Sequence, residues 1–134
     1  MKHRPRVAAV VALLCALLSC DRRPGVKPPS GGNDAGIRLN NLGVAEMNRG
    51  RTLQAVELFR SASKSDPTFF LAQLNEGIAL LNAQRFDEAR DILLQATRKQ
   101  PDNARAWYNL GILYRNQAQL DSAVAAFEQY LDPG

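Results

Sequence analysis

The chain has 134 residues, of which 46% are hydrophobic and 22% charged, with a formal net charge of +4; that length allows at most one small domain with appendages. The positive balance sits in the first 35 residues, since from Gly36 onward 11 basic residues face 11 acidic ones, so a nucleic-acid-binding surface is not expected. His3, Cys15 and Cys20 are the only histidine and cysteines, which leaves the rest of the chain without a disulfide, a Cys/His metal site, or an imidazole or thiol for nucleophilic catalysis.

The N-terminus reads as an address. "MKHRPR" is a basic opening, and "VAAVVALLCALL" (residues 7–18) is an uncharged apolar run of twelve. A spanning helix needs about 20 such residues, so the run fits the apolar region of a secretory signal peptide instead. It ends in "LLSC", Leu17–Cys20, which resembles the lipobox of bacterial lipoproteins. The resemblance implies a signal peptide over 1–19, cleavage between Ser19 and Cys20, a diacylglycerol on Cys20 and acylation of the new amine. Acyl chains at about 0.8 kcal/mol per buried CH₂ would hold the protein on a membrane of the cell envelope. Asp21 marks inner-membrane retention in some enteric bacteria but not in all bacteria, so both membranes stay open. Ordinary secretion and a short uncleaved anchor are the alternatives.

"DRRPGVKPPSGGNDA" (21–35) has three prolines and three glycines and few apolar side chains. It reads, with Cys20, as a flexible tether reaching at most ~50 Å. Arg22, Arg23 and Lys27 either touch anionic headgroups or are solvated linker charges.

From Gly36 the chain repeats. "NLGVAEMN" (41–48), "NEGIALLN" (75–82) and "NLGILYRN" (109–116) carry Asn, Gly and Asn at matching places 34 residues apart. That period divides the chain into units 36–69, 70–103 and 104–134 and points to helix–turn–helix repeats. The A helices are expected over 37–49, 71–83 and 105–117, the B helices over 53–64, 87–98 and 121–131. Thr52, Asp87 and Asp121 fall where N-caps of the B helices are wanted. Gly50 suits the residue after the first A helix, and Pro67 and Pro101 close the first two units. The eighth position is Gly43, Gly77 and Gly111, and the twentieth Ala55, Ala89 and Ala123. Small residues at both let paired helices approach, and a helical Gly costs about 1 kcal/mol relative to Ala unless such a contact needs it. Phe59, Leu93 and Phe127 at the twenty-fourth position are the large apolar plugs.

These residues resemble the tetratricopeptide repeat. Trp107, Leu110 and Tyr114 complete its signature in the third unit, and Leu39 and Leu42 supply part of it in the first. The second departs from it with Gln73 and Glu76 but keeps Leu80. Ala62 and Ala96 fit the small twenty-seventh position, which Tyr130 does not. The resemblance implies an all-α solenoid of three repeats over 36–134, near the minimum for stability because each unit buries its apolar face only against a neighbour.

It also implies that the A helices line a concave groove through positions 2, 5, 6, 9, 12 and 13. In the first unit these are Ile37, Asn40, Asn41, Val44, Met47 and Asn48. In the second they are Leu71, Leu74, Asn75, Ile78, Leu81 and Asn82, and in the third Arg105, Tyr108, Asn109, Ile112, Arg115 and Asn116. Asn41, Asn75 and Asn109 match the sixth position, where some peptide-binding members carry an asparagine ladder. An amide both donates and accepts, so it can pair with the backbone of an extended peptide. Alternatively the asparagines are structural, bonding a neighbouring repeat, with Asn48, Asn82 and Asn116 terminating helices. The carboxylate clamp of chaperone-binding members wants Lys and Asn where this chain has Asn40 and Val44, so it is rejected. Arg105 and Arg115 can still attract a carboxylate.

The last unit stops at "YLDPG", without the polar helix that often caps the family's final repeat. Val124, Tyr130 and Leu131 are therefore expected to be partly exposed. Either this end docks a partner or a second copy, or it is a frayed terminus. The functional expectation is a non-catalytic lipoprotein that binds a peptide or protein, as adaptor or assembly factor, pilotin-like by analogy of fold and address. The alternative is a scaffold that self-associates through the C-terminal helix. No nucleophile–base pair, phosphate loop, metal site or cofactor motif is visible.

Overall fold

The structure is a computed structural model that describes residues 32–132. The leader, Cys20 and most of the tether lie outside the described residues. Among the described residues six α-helices follow one another: α1 (Asp34–Asn48), α2 (Thr52–Ser65), α3 (Phe70–Asn82), α4 (Phe86–Lys99), α5 (Ala104–Asn116) and α6 (Leu120–Leu131). No described helix is long and apolar enough to cross a membrane.

Each helix packs on the next, and α1 touches α3 as α3 touches α5. The backbones of α2, α4 and α6 do not approach one another, although a side-chain ion pair, Arg60–Glu88 at 3.4 Å, reaches from α2 to α4. The odd-numbered helices therefore form the inner layer of a curved all-α solenoid, and the even-numbered ones the outer layer.

Close approach inside each unit comes from the small residues. Ala55, Ala62, Ala89 and Ala96 are buried, and Phe59 and Leu93 fill the space between paired helices. Gly43 lies under the Phe59 ring and Gly111 under the Phe127 ring; a methyl group at either glycine would meet its ring at 2.6 Å. Full burial of such a ring contributes up to about 3 kcal/mol.

The two departures of the second unit are structural substitutions. Trp107 donates from Nε1 to the Pro101 carbonyl at 2.7 Å, and Gln73 donates from Nε2 to the Pro67 carbonyl at the same distance. Gln73 thus ties its helix to the preceding proline turn as the tryptophan does. Glu76 is buried and accepts from Arg60 Nε at 3.0 Å, joining the first unit to the second.

The turns inside the units are identical. Arg51, Arg85 and Gln119 donate their amides to Glu46, Leu80 and Tyr114 across five residues. Gly50, Gln84 and Ala118 donate to Met47, Leu81 and Arg115 across three. These are the two bonds of a Schellman motif, which requires a left-handed residue at its centre. Gly50, Gln84 and Ala118 have φ of 74°, 60° and 57°. Only the first unit spends a glycine there. Ala118→Gly is expected to raise the unfolding free energy by about 0.5–1 kcal/mol, the left-handed penalty less the extra chain entropy of glycine. Gly50→Ala is expected to lower it by a similar amount. Opposite shifts of the urea midpoint are the readout.

These turns also displace the expected N-caps. Residues before the B helices are Arg51, Arg85 and Gln119, and none makes a side-chain cap bond. Thr52, Asp87 and Asp121 lie inside the first turn instead, where the two carboxylates favour the helix dipole. Side-chain caps occur at Asn33 and Asn103, which accept from Gly36 and Ala106 amides at the start of α1 and α5. Asn33 further donates to Asp66 and to the Ser65 carbonyl, pinning the start of α1 to the end of α2. That is why α1 begins at residue 34 rather than 37. The Thr68 hydroxyl and amide, then Asn33, hold the Asp66 carboxyl below its usual range. A lowered folded pKa means that this tie is in place above the ordinary carboxylate range and is lost as the pH falls through the folded value.

Candidate functional site: the concave face

Helical spacing puts positions 2, 6, 9 and 13 of one helix on a common face, and the inner layer presents that face to the groove. A cavity of about 190 Å³ opens there, lined by Val44, Met47, Asn48, Phe59, Asn75, Ile78 and Arg105. Three helices of the inner layer contribute, with Phe59 entering from α2. Val44 is exposed, and Met47 and Ile78 are half-buried against the core.

The predicted site residues divide. Val44, Asn48, Asn75, Ile78 and Arg105 meet at this cavity. Leu71 lies exposed at the start of α3, and Asn82, Arg115 and Asn116 lie exposed at the ends of their helices. Ile112 is half-buried against the core. Tyr108 turns from the groove toward α6, its ring 5.4 Å from Tyr130 and 6.1 Å from Phe127. Leu74 is a correction: it is 1% exposed and cannot meet a ligand. The fifth position of an inner helix faces the next inner helix, which covers Leu74 just as it covers Asn40. Phe59 was not anticipated, because the resemblance assigns the groove to the inner helices alone.

The three sixth-position asparagines have three environments. Asn41 is exposed with no side-chain hydrogen bond among the described residues. Asn75 donates from Nδ2 to Asn40 Oδ1 at 2.9 Å, linking α1 and α3. Asn109 donates to the Arg105 carbonyl at 2.8 Å in its own helix. Each of the latter two has spent one N–H, leaving a second N–H and the carbonyl oxygen for other uses. Asn48, Asn82 and Asn116 are the last residues of α1, α3 and α5, and no described group bonds their amides.

The charge is one-signed. Neither Arg105 nor Arg115 has an ion pair among the described residues, and Arg105 borders the apolar cavity. A guanidinium beside exposed aliphatic carbon can hold a carboxylate with two parallel hydrogen bonds. No group of three His, Cys, Asp or Glu side chains among the described residues is placed to hold a metal.

The family model of the tetratricopeptide repeat matches residues 40–94 and 74–134. The fold is similar to the second such domain of Spaghetti (RPAP3), solved with the HSP90 peptide SRMEEVD: TM-score 0.69, 22% identity, 73% of this chain and 91% of that one. It is also similar to YrrB, described as a protein of this family with an unusual peptide-binding site: TM-score 0.71, 22% identity, 76% and 53%. A third is MamA from Desulfovibrio magneticus RS-1: TM-score 0.68, 30% identity, 73% and 55%. The chain spans about half the length of the latter two. No curated protein matches it.

Proposed function

Given that the chain belongs to the tetratricopeptide repeat family, we propose that it is a non-catalytic binding module whose concave face holds an extended peptide. The observation that carries this reading is the cavity of about 190 Å³ bordered by Arg105, which has no ion pair among the described residues. Sites for small molecules usually run to ~300–1,000 Å³; this one suits one or two aliphatic side chains. The peptide places an aliphatic side chain between Val44 and Ile78 and a carboxylate against Arg105, while Asn41 and the free half of the Asn75 amide meet its backbone. Hydrogen bonds at about 0.5–1.5 kcal/mol each supply register more than affinity. The peptide-bound Spaghetti domain shares the fold, which supports the mode of binding and says nothing of the partner.

The same reading includes an address. The leader, cleavage before Cys20 and lipid on Cys20 tether the module to a membrane of the bacterial cell envelope, where it serves as an adaptor or assembly factor. A second reading, self-association through α6, is favoured by one observation: Val124, Tyr130 and Leu131 are exposed on that helix.

Peptides selected from a random library on the full-length protein provide the test. Arg105→Glu is expected to weaken carboxylate-bearing peptides about tenfold or more, a loss of ~1.4 kcal/mol, and Ile78→Asp to abolish binding. Leu53→Asp, on the outer layer, is expected to change nothing. Equal affinity for all variants would refute the groove. Asn41→Ala is the clean probe of backbone pairing, since Asn75→Ala also removes the bond to Asn40. Mass spectrometry of the mature N-terminus reads the lipid on Cys20.

A further inference from the structure

The two ends of the solenoid are the halves of a junction that the molecule already uses twice. The twenty-fifth position of each unit lies on the outer helix and drops into the groove between the two helices of the next unit. Arg60 enters the groove of α3 and α4, where it meets Glu76 at 3.0 Å and Glu88 at 3.4 Å. Leu94 enters the groove of α5 and α6 beside Trp107, Leu110 and Tyr114. In one case a cation meets anions; in the other an aliphatic chain meets apolar walls.

No unit among the described residues precedes the first one to fill its equivalent groove. That groove measures about 390 Å³ and is lined by Leu42, Glu46, Arg51, Gln54, Glu57 and Leu58. The equivalent side chain of the last unit is Glu128, exposed, with no side-chain partner among the described residues. In that groove Arg51 and Gln54 can receive the Glu128 carboxylate, because the groove's own carboxylates already have cations, Glu46 with Arg49 and Arg51 and Glu57 with Arg60. Arg51 and Arg49 share the single carboxylate of Glu46, so that cluster keeps a positive charge.

The flanking positions agree. Val124 is 56% exposed where Val56 is fully buried, and Leu131 is 76% exposed where Thr97 is buried. Tyr108 is exposed where Asn40 and Leu74 are covered by the following inner helix. At the other end Leu42 is 48% exposed, where Glu76 and Leu110 are buried under the preceding unit.

We propose that a second copy of this chain stacks head to tail on the first, its α1 and α2 covering α5 and α6 in the register of the internal junctions. Glu128 then enters the groove beside Arg51 and Gln54, Tyr108 packs over Asn41, and Leu42 and Leu131 become buried. The two surfaces differ, so the contact is heterologous and does not close on itself. This deepens the self-association reading and rests on it.

Sedimentation of the full-length chain in a density-matched detergent tests it up to about 100 μM, where mass action reveals weak association. The wild type is expected to pass beyond dimer as concentration rises. Leu131→Asp destroys only the tail and Leu42→Asp only the head, so each variant alone is expected to remain monomeric. Their equimolar mixture is expected to form dimers and stop, because one intact junction survives; this also shows that both variants are folded. Loss of association in Leu131→Asp with wild-type assembly in Leu42→Asp would overturn head-to-tail stacking and leave a tail-to-tail dimer. A monomeric wild type, or assembly that survives both substitutions, would overturn self-association through α6 altogether.

Discussion

Arg60→Ala is expected to lower the unfolding free energy by about 2–4 kcal/mol, a little under the ~3–5 kcal/mol of breaking a fully buried ion pair, because the Arg60 side chain is 28% exposed. The Glu76 side chain is 7% exposed and receives its hydrogen bond from Arg60 Nε. Its carboxylate would stay inside the junction of the first and second units with nothing opposite. The second junction shows the remedy, because Leu94 and Leu110 occupy the same two positions there. Arg60→Leu with Glu76→Leu is therefore expected to recover wild-type stability or exceed it, since apolar replacement of a buried pair is often neutral or stabilising. Chemical denaturation of the two variants decides this. A double variant no better than Arg60→Ala would mean that the charges do more than fill the junction.

The glycines give a graded series. Gly43→Ala is expected to cost about 1–3 kcal/mol, as overpacking of a close-packed core does. The new methyl meets the Phe59 ring at 2.6 Å, and Phe59 is only 2% exposed, held between units. Gly111→Ala brings the same approach to Phe127. That ring lies half-exposed on α6 and can swing outward, so a smaller loss is expected. At Gly77 the nearest atom is a Leu93 methyl at 3.0 Å, which needs to yield by only a few tenths of an ångström. The gain in helix propensity, about 1 kcal/mol, is expected to make Gly77→Ala nearly neutral. Equal losses at all three sites would show that the backbone, not the ring above it, sets the requirement for glycine.

The legible part of the fold was what recurs. Small and large residues at the eighth, twentieth and twenty-fourth positions place every helix to within about three residues, because tight pairing needs those sizes wherever it occurs. Caps were misplaced because Thr52, Asp87 and Asp121 match a local rule, while the Schellman turns that precede them are set by backbone geometry. Gln84 and Ala118 carry no sign of a left-handed residue; only the equivalence to Gly50 reveals it. In the groove, the apolar ninth position was readable from helical spacing. The burial of Leu74 was not, because it depends on how neighbouring inner helices are inclined. Asn75 shows why both readings of the asparagines had to stay open: one amide bonds a neighbouring repeat and still borders the cavity.

The bond from Trp107 to the Pro101 carbonyl joins the chain's one tryptophan to the turn that opens the third unit. Intrinsic fluorescence is therefore a local spectroscopic reporter. The third unit carries Ala118 in a left-handed turn, and among the described residues its outer helix packs on α5 alone. In a linear array the least supported unit melts first. Heating followed by tryptophan emission is thus expected to show an earlier midpoint than far-ultraviolet circular dichroism, which averages over every helix. A ligand in the groove cavity, whose walls come from the first two units except for Arg105, is expected to delay the dichroism transition more than the fluorescence one, so the gap between the two curves reports where it sits.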